Sequence, residues 1–380
     1  MIILHSESSP GWGGQEFRIL AESTAMRRRG HEVLIAASPA GRILHEARAQ
    51  GFTTVEISFR SRFDPGSIAR LRSAILRHRV EVLNTHSAID GWVGALATRF
   101  LPQVKVVRTR HLSIAVHRNW PTRWVYTRGC DAIITTGEAL REQLIRDNGY
   151  DGARIVSIPT GVDISRFDPA TVDKSALRAS LRPLCPDLTD AEPLVGCVAM
   201  LRSMKGHPVL VDAFARALAT QPTLRLVIVG EQPHPRSSVK ADLIAQCERL
   251  GIRPRVIFAG YREDIPQVLA GLDAVVLPSV RDEGVPQGLT QALAMGVPVI
   301  STAVGAIAEI VRPEETGLLV PPNDADALAI ALRRIFDDPA AARTRSAAGQ
   351  ALIHRDYTVE AMAGKVEALY ARLLRGQTAH

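Results

Sequence analysis

A chain of 380 residues, 46% of them apolar and 22% charged, exceeds the usual size of one hydrophobic core, so two domains are expected. No apolar run approaches the ~18–20 residues of a membrane span. The opening MIILHSESSPGWGG lacks the basic and apolar regions of a secretory signal, so the chain is expected to stay in the cytoplasm. The net charge of +7 lies in one half: residues 1–170 carry 23 Lys and Arg against 16 Asp and Glu, and residues 171–380 carry 23 against 23. That asymmetry fits an anionic partner for the first half, or an arginine-rich composition inherited from a GC-rich genome. Nucleic acid is set aside, because no recognition helix or stacking platform accompanies the charge. Cys130, Cys185, Cys197 and Cys247 are far apart and form no CxxC pair, so they read as reduced structural thiols and no metal is expected.

Residues 1–170 alternate short buried strands with amphipathic helices. Strands are expected at Ile2–His5, Val33–Ser38, Val55–Ser58, Val80–His86, Val104–Thr109, Ala132–Thr136 and Arg154–Pro159, which predicts a parallel sheet covered on both faces. The first strand runs into Gly11, Gly13 and Gly14, just ahead of a helix expected from Gln15 to Arg29. Glycines there suit a phosphate cradle, although the spacing is not GxGxxG. Two later strands deliver His86, followed by Asp90, and His111 to the carboxyl edge that lines the crevice of a doubly wound sheet. A helix from Asp64 to Arg79 sets Arg70, Arg72, Arg77 and Arg79 beside Ile68, Leu71, Ile75 and Leu76. The run from His111 to Cys130 interleaves Arg118, Arg123 and Arg128 with Trp120, Trp124 and Tyr126. Such a run suits a membrane interface or a polyanion, or else it is an ordinary helix whose aromatics pack inward. Pro169, Pro183, Pro186 and Pro193 then punctuate a polar stretch that reads as a linker over 171–193.

A second series of strands follows at Leu194–Leu201, Leu224–Val229, Val256–Tyr261, Ala274–Ser279 and Val297–Thr302, which predicts a second doubly wound sheet. After its first strand, LRSMKGH places Arg202 and Lys205 at the carboxyl edge, where cations offset the charge of an anionic leaving group. Gly230 and the pair Tyr261-Arg262 occupy the next two strand ends. Pro286, Gly296 and Pro298 bound a helix from Gln287 to about Met295. Leu289, Ala292 and Leu293 share its sheet-facing side, and Gln287 and Gln291 the opposite one. The Glu283-Gly284 turn lets a ligand approach backbone, and N–H groups at the helix start attract an anion, which together suit a phosphate bearing a hydroxyl-rich group. Asp324-Ala325-Asp326 is read as a helix cap rather than a metal motif.

The stretch from Glu283 to Gln291 resembles the donor-site signature of family 4 of the retaining nucleotide-sugar glycosyltransferases, which carries two glutamates eight residues apart. Glu283 matches the first. The second falls on Gln291, whose amide can hydrogen-bond a ribose diol without the charge-assisted acceptor. The resemblance continues at Gly13-Gly14, at His111, through 131–168, and at Lys205-Gly206, with Arg202 standing in for an Arg that the family has at the position of Met200. It implies an α/β GT-B fold: two Rossmann-like doubly wound domains facing across a cleft. Residues 1–170 would form the acceptor-side domain, 171–193 the linker and 194–357 the donor domain, with a helix from about 358 to 380 crossing back. The implied catalytic set is His111, Glu283, Arg202 and Lys205. The implied donor contacts are Gly13, Gly14, Gly230, Tyr261, Arg262, Gly284, Val285, Pro286, Gln287 and Gln291. Acceptor-side residues would be His86, Asp90, Arg118, Trp120, Arg123 and Trp124. The implied reaction is metal-independent transfer of a sugar, with retention, from a UDP-sugar, or next a GDP-sugar such as GDP-mannose. The acceptor would be a lipid-linked glycan such as a lipopolysaccharide core, reached at the inner face of an anionic membrane. The alternatives are an epimerase or donor hydrolase on the same fold, and a nucleotide-sugar-binding protein without transfer activity.

Overall fold

A computed structural model describes residues 1–111, 114–232, 237–281 and 283–377. Asp282 of the expected donor signature and the last three residues, 378–380, lie outside the described residues. The chain divides into two compact units: residues 1–161 with 359–380, and residues 162–358.

The first unit runs β1 (Ile2–Glu7), α1 (Gly14–Arg28), β2 (Glu32–Ala37), α2 (Arg42–Ala49), β3 (Thr53–Glu56), α3 (Pro65–Arg77) and β4 (Val82–Thr85). It continues with α4 (Ala88–Ala97), β5 (Lys105–Arg110), α5 (Trp120–Thr127), β6 (Ala132–Thr135), α6 (Glu138–Asn148) and β7 (Ile155–Ser157). Its seven strands are all parallel, in the order β3-β2-β1-β4-β5-β6-β7. Strands buried on both faces need continuous apolar runs, and IIL, VLIAA and AII supply them. The strand order reverses between β1 and β4, so the sheet has its topological switch point there, where ligands bind beyond the carboxyl ends.

The second unit holds α7 (Ala176–Leu181), β8 (Leu194–Val198), α8 (His207–Ala217), β9 (Arg225–Val229), α9 (Val239–Arg249), β10 (Val256–Gly260) and α10 (Ile265–Ala270). After these come β11 (Ala274–Leu277), α11 (Gln287–Ala294), β12 (Val299–Thr302), β13 (Leu318–Val320), α12 (Ala325–Asp337) and α13 (Pro339–Asp356). Its six-stranded parallel sheet is ordered β10-β9-β8-β11-β12-β13, with the switch point between β8 and β11. Asp324 caps α12 by accepting from the Ala327 N–H, the role read from the sequence.

The final helix, α14 (Val359–Leu374), belongs to the first unit. Met362, Val366, Leu369, Tyr370 and Leu373 join Ile3, Ile19, Met26 and Ile35 in one buried cluster. The boundaries differ from those expected. The crossing between units falls after Gly161 rather than after 170, and the stretch 171–193 is no free linker. It carries α7, whose Leu177 and Leu181 are fully buried, because apolar residues four apart on a helix outweigh the surrounding prolines.

Candidate active site

In the second unit, the loops after β8 and β11 meet at the switch point. Lys205 Nζ lies 2.6 Å from Glu283 Oε1, with the Glu283 side chain 4% and that of Lys205 18% exposed. Ser279 Oγ donates to the same carboxylate oxygen. The loop is braced from β12: Thr302 Oγ1 donates to the Ser279 carbonyl, and the Ala306 N–H lies 3.4 Å from the Glu283 carbonyl. Gly206 permits the approach on the other side. Its φ of +70° is strained for a side chain, and a Cβ there would sit 1.9 Å from the Pro278 carbonyl oxygen. Arg202 is exposed, with its Nε 3.0 Å from Met200 Sδ.

Gly284, Val285 and Pro286 are buried, and α11 begins at Gln287. Pro286 is the extended residue just before the helix, where its fixed φ directs the chain into the first turn. Gln287 and Gln291 are half-buried, whereas Leu289, Ala292 and Leu293 are fully buried. At the neighbouring strand ends, Gly230 has a φ of +141° and Tyr261 is 47% exposed. Arg262 has partners within the protein. Its guanidinium grips Asp264, with Nε 2.7 Å from Oδ1, and its Nη1 donates to Ser180 Oγ at 3.0 Å. That carboxylate holds the Arg262 pKa up, and the side chain ties the β10 turn to α7.

In the first unit, residues from β1, β4 and β5 gather at the other switch point. His86 and His111 are hydrogen-bonded at 3.0 Å, and His5, from inside β1, is hydrogen-bonded to His86 at 2.9 Å. Beside them Asp90 accepts from the His86 N–H (2.7 Å), the Ser87 N–H (3.0 Å) and Ser8 Oγ (2.9 Å). Glu7 accepts from Ser87 Oγ (2.6 Å), the Ser9 N–H (2.6 Å) and the Gln15 amide. A cavity of about 330 Å³ opens on this edge, lined by Gln15, His86, Arg108, His111 and Tyr126 among others. Arg108 is 7% exposed and lies 4.7 Å over the Tyr126 ring, with Nη2 donating to the Ser87 carbonyl.

The glycine loop differs from the expected phosphate cradle. α1 starts at Gly14, but the Gly13 N–H donates to Glu16 Oε2 at 2.8 Å, so the helix's own carboxylate occupies that amide. Of the aromatic residues after His111, Trp120 is 77% exposed beside exposed Arg118 and Arg123. Trp124 stacks on Trp92, and Tyr126 is buried against Tyr150. Tyr126 therefore belongs to the core rather than to an outward-facing surface, as the helical spacing of Val125, Tyr126 and Cys130 requires.

Burial and the nearby Asp90 charge push the Glu7 carboxyl up to about 8, and burial raises Asp90 as well. His5, His86, His111 and His207 are all depressed by burial, His207 to about 4. The signs set a pH profile for stability. Neutral buried histidines favour the fold progressively as pH rises to about 6.5, whereas an acid with a raised pKa disfavours it from about 4.5 to about 8. Above pH 6.5 the histidine effect is complete and the raised carboxyls dominate, Glu7 at up to ~1.4 kcal/mol per pH unit. Thermal melts are therefore expected to show stability falling by roughly 2 kcal/mol from pH 6.5 to 8. Glu7→Gln is expected to flatten that limb.

The chain matches two family models in succession, Glycosyltransferase Family 4 over residues 12–166 and Glycosyl transferases group 1 over residues 192–338. It is 31% identical over 263 residues to the lipopolysaccharide core biosynthesis mannosyltransferase LpsB of Rhizobium meliloti, covering 68% of this chain and 70% of the relative. It is 28% identical over 342 residues to a D-inositol 3-phosphate glycosyltransferase of a Mycobacterium species, covering 82% and 75%. Among solved structures, a glycosyltransferase from Rickettsia africae superposes with a TM-score of 0.90 over 99% of both chains at 21% identity. Anabaena HepE in complex with UDP-glucose superposes with a TM-score of 0.85 over 99% and 100% at 22% identity. Two Rossmann-like parallel sheets with helices on both faces, and this likeness, define a glycosyltransferase of the GT-B fold. The chain belongs to glycosyltransferase family 4, the family its donor-like motif resembles.

Two polar positions at these edges carry no signal in the motif: His5 and Glu7 interrupt the apolar run IILHSE, and that interruption at a strand's carboxyl end was the available clue. Ser279 was read only as the end of a strand.

Proposed function

We propose that this glycosyltransferase moves a sugar, with retention, from a nucleotide-sugar donor to a hydroxyl of a lipid-linked or lipopolysaccharide-core acceptor. The observation that carries the donor half is the Lys205–Glu283 pair at the second switch point. A cation there offsets the charge that grows on a departing diphosphate, and exposed Arg202 adds a second. Glu283 positions sugar hydroxyls, and Gly284, Val285, Pro286 and Gln287 bring backbone to the phosphates. Gln291 bonds the ribose through its amide, while Gly230 and Tyr261 border the base. His111 acts at the sugar, and His86 and Asp90 on the acceptor side. In retention without a protein nucleophile, the acceptor attacks the face the diphosphate leaves, and its proton passes to that phosphate.

UDP is the favoured base. The complex of HepE with UDP-glucose supports it, and a GDP-mannose-dependent mannosyltransferase of Corynebacterium glutamicum, 33% identical over 214 residues, keeps GDP second. The relationship to LpsB supports a lipopolysaccharide-core acceptor. Exposed Trp120 with Arg118 and Arg123 supports peripheral binding to an anionic membrane, and no helix among the described residues is long and apolar enough to cross one. Binding to vesicles containing anionic lipid, absent with neutral vesicles, is the corresponding test.

The donor is tested by thermal stability with UDP, GDP and ADP and their sugar conjugates. A ligand at a hundred times its dissociation constant stabilises by ~2.7 kcal/mol. Selective stabilisation by UDP and its conjugates is the expected result, followed by sugar transfer to a core acceptor. Stabilisation by none, with no turnover, overturns the proposal.

A further inference from the structure

The three imidazoles of the first unit form one continuous chain from the core to the cavity. His5 Nδ1 meets His86 Nε2, and His86 Nδ1 meets His111 Nε2, with ring centroids 5.2 and 5.3 Å apart. His5 is fully buried, His86 is 5% exposed, and His111 is half-buried on the cavity wall. Burial keeps all three neutral near pH 7, so each ring has one donor and one acceptor nitrogen. Both hydrogen bonds survive in only two arrangements: every ring protonated at Nε2, or every ring protonated at Nδ1.

What lies beyond His5 decides between them. His5 Nε2 is 3.8 Å from Glu22 Oε1, and neither side chain is exposed. Glu22 is paired with Arg18, whose Nε is 3.4 Å from Oε2, and its Oε1 is 3.3 Å from the Tyr370 hydroxyl. Arg18 directs Nη1 at the Ile158 carbonyl and Thr160 Oγ1, and its positive charge disfavours a second proton on each of the three rings. An imidazole lone pair against a buried carboxylate is repulsive, whereas an N–H there is attracted. We infer that Glu22 acts through His5 and His86 as a positioning residue, holding His111 in the Nε2–H tautomer with its Nδ1 lone pair offered to the cavity. His111 then accepts a hydrogen bond from a ligand hydroxyl. It does not donate one to a phosphate or carbonyl oxygen. The inference rests on the reading of His111 as facing substrate, and it selects the chemistry of that contact.

The experiment is a long-range proton–nitrogen NMR spectrum of the full chain with 15N-labelled histidine, assigned by single-histidine replacements. His5, His86 and His111 are each expected to show a protonated Nε2 and a bare Nδ1. A protonated Nδ1 on His111, or nitrogens averaged between tautomers, would overturn the inference. His86→Phe interrupts the chain and leaves Glu22 and Arg18 in place. In the folded variant His111 is expected to shift towards averaged tautomers, and an unchanged His111 spectrum would overturn the inference equally. Should that variant fail to fold, the wild-type spectrum alone decides. No donor or turnover enters the measurement, so a failed donor assay and a failed tautomer assignment are separate results.

Discussion

Lys205→Met is expected to lower kcat for sugar transfer by about 10²–10³-fold, the scale of losing one preorganised charge partner at a transition state. Since the cation acts on charge that develops as the sugar bond breaks, kcat and kcat/KM should fall together, with KM little changed. The same substitution strands Glu283, whose side chain is 4% exposed, beside Ser279. Breaking a fully buried pair costs about 3–5 kcal/mol, and less is expected here because the Lys205 side chain is 18% exposed. Glu283→Gln separates the two effects. It removes the buried charge and lets Lys205 reach solvent, so Tm should hold while activity falls as far. Steady-state kinetics and thermal melts on both variants check this. A Tm loss with unchanged kcat would assign the pair to folding alone.

Glu22→Ala is expected to be the most damaging single change in the first unit, at about 3–5 kcal/mol, because it leaves a fully buried Arg18 without its carboxylate. For a unit of this size each kcal/mol moves Tm by ~2–4 °C, so a fall of roughly 6–20 °C is expected. The pair is not an ideal one. Arg18 Nε and Nη2 and Glu22 Oε2 have no hydrogen-bond partner, so the charges are held close but incompletely satisfied. Replacing both, as Arg18→Met with Glu22→Leu, should therefore recover most of the loss. A residue of ~1–3 kcal/mol is expected to persist, because the Ile158 carbonyl loses the donor 2.7 Å away. Chemical denaturation of the two variants measures this directly. A Glu22→Ala protein within 1 kcal/mol of wild type would contradict it.

Most of the fold was legible because a strand buried on both faces must be apolar throughout, and twelve such runs were marked by β-branched residues between Gly, Pro and polar turns. The strand that escaped was β13, whose three residues are too few to carry a pattern. The stretch 171–193 misled because Pro183, Pro186 and Pro193 punctuate it, while the two buried leucines of α7 are a weaker mark. At the site, Lys205 and Glu283 were each visible in a local motif. Their contact at 78 residues' separation was not, because it exists only once β8 lies beside β11. His5 was hidden for the same reason: its partner arrives on β4, a neighbour only through a strand order that periodicity does not reveal. For Arg262, a donor contact implied by the resemblance, the pairing with Asp264 two residues on was likewise unmarked in the sequence reading.

The placement of α14 has a consequence for how the polypeptide is made. The second unit is nested inside the first, which the chain leaves at Gly161 and re-enters at Val359. Domains usually fold from the amino terminus as they leave the ribosome. Here the first unit to be synthesised lacks Met362, Val366, Leu369, Tyr370 and Leu373 until the whole second unit has been made, so the apolar floor of its sheet stays uncovered in the meantime. The second unit has all its strands earlier. The nascent chain should thus complete the sheet of its second unit first, while the first keeps that floor open until α14 arrives.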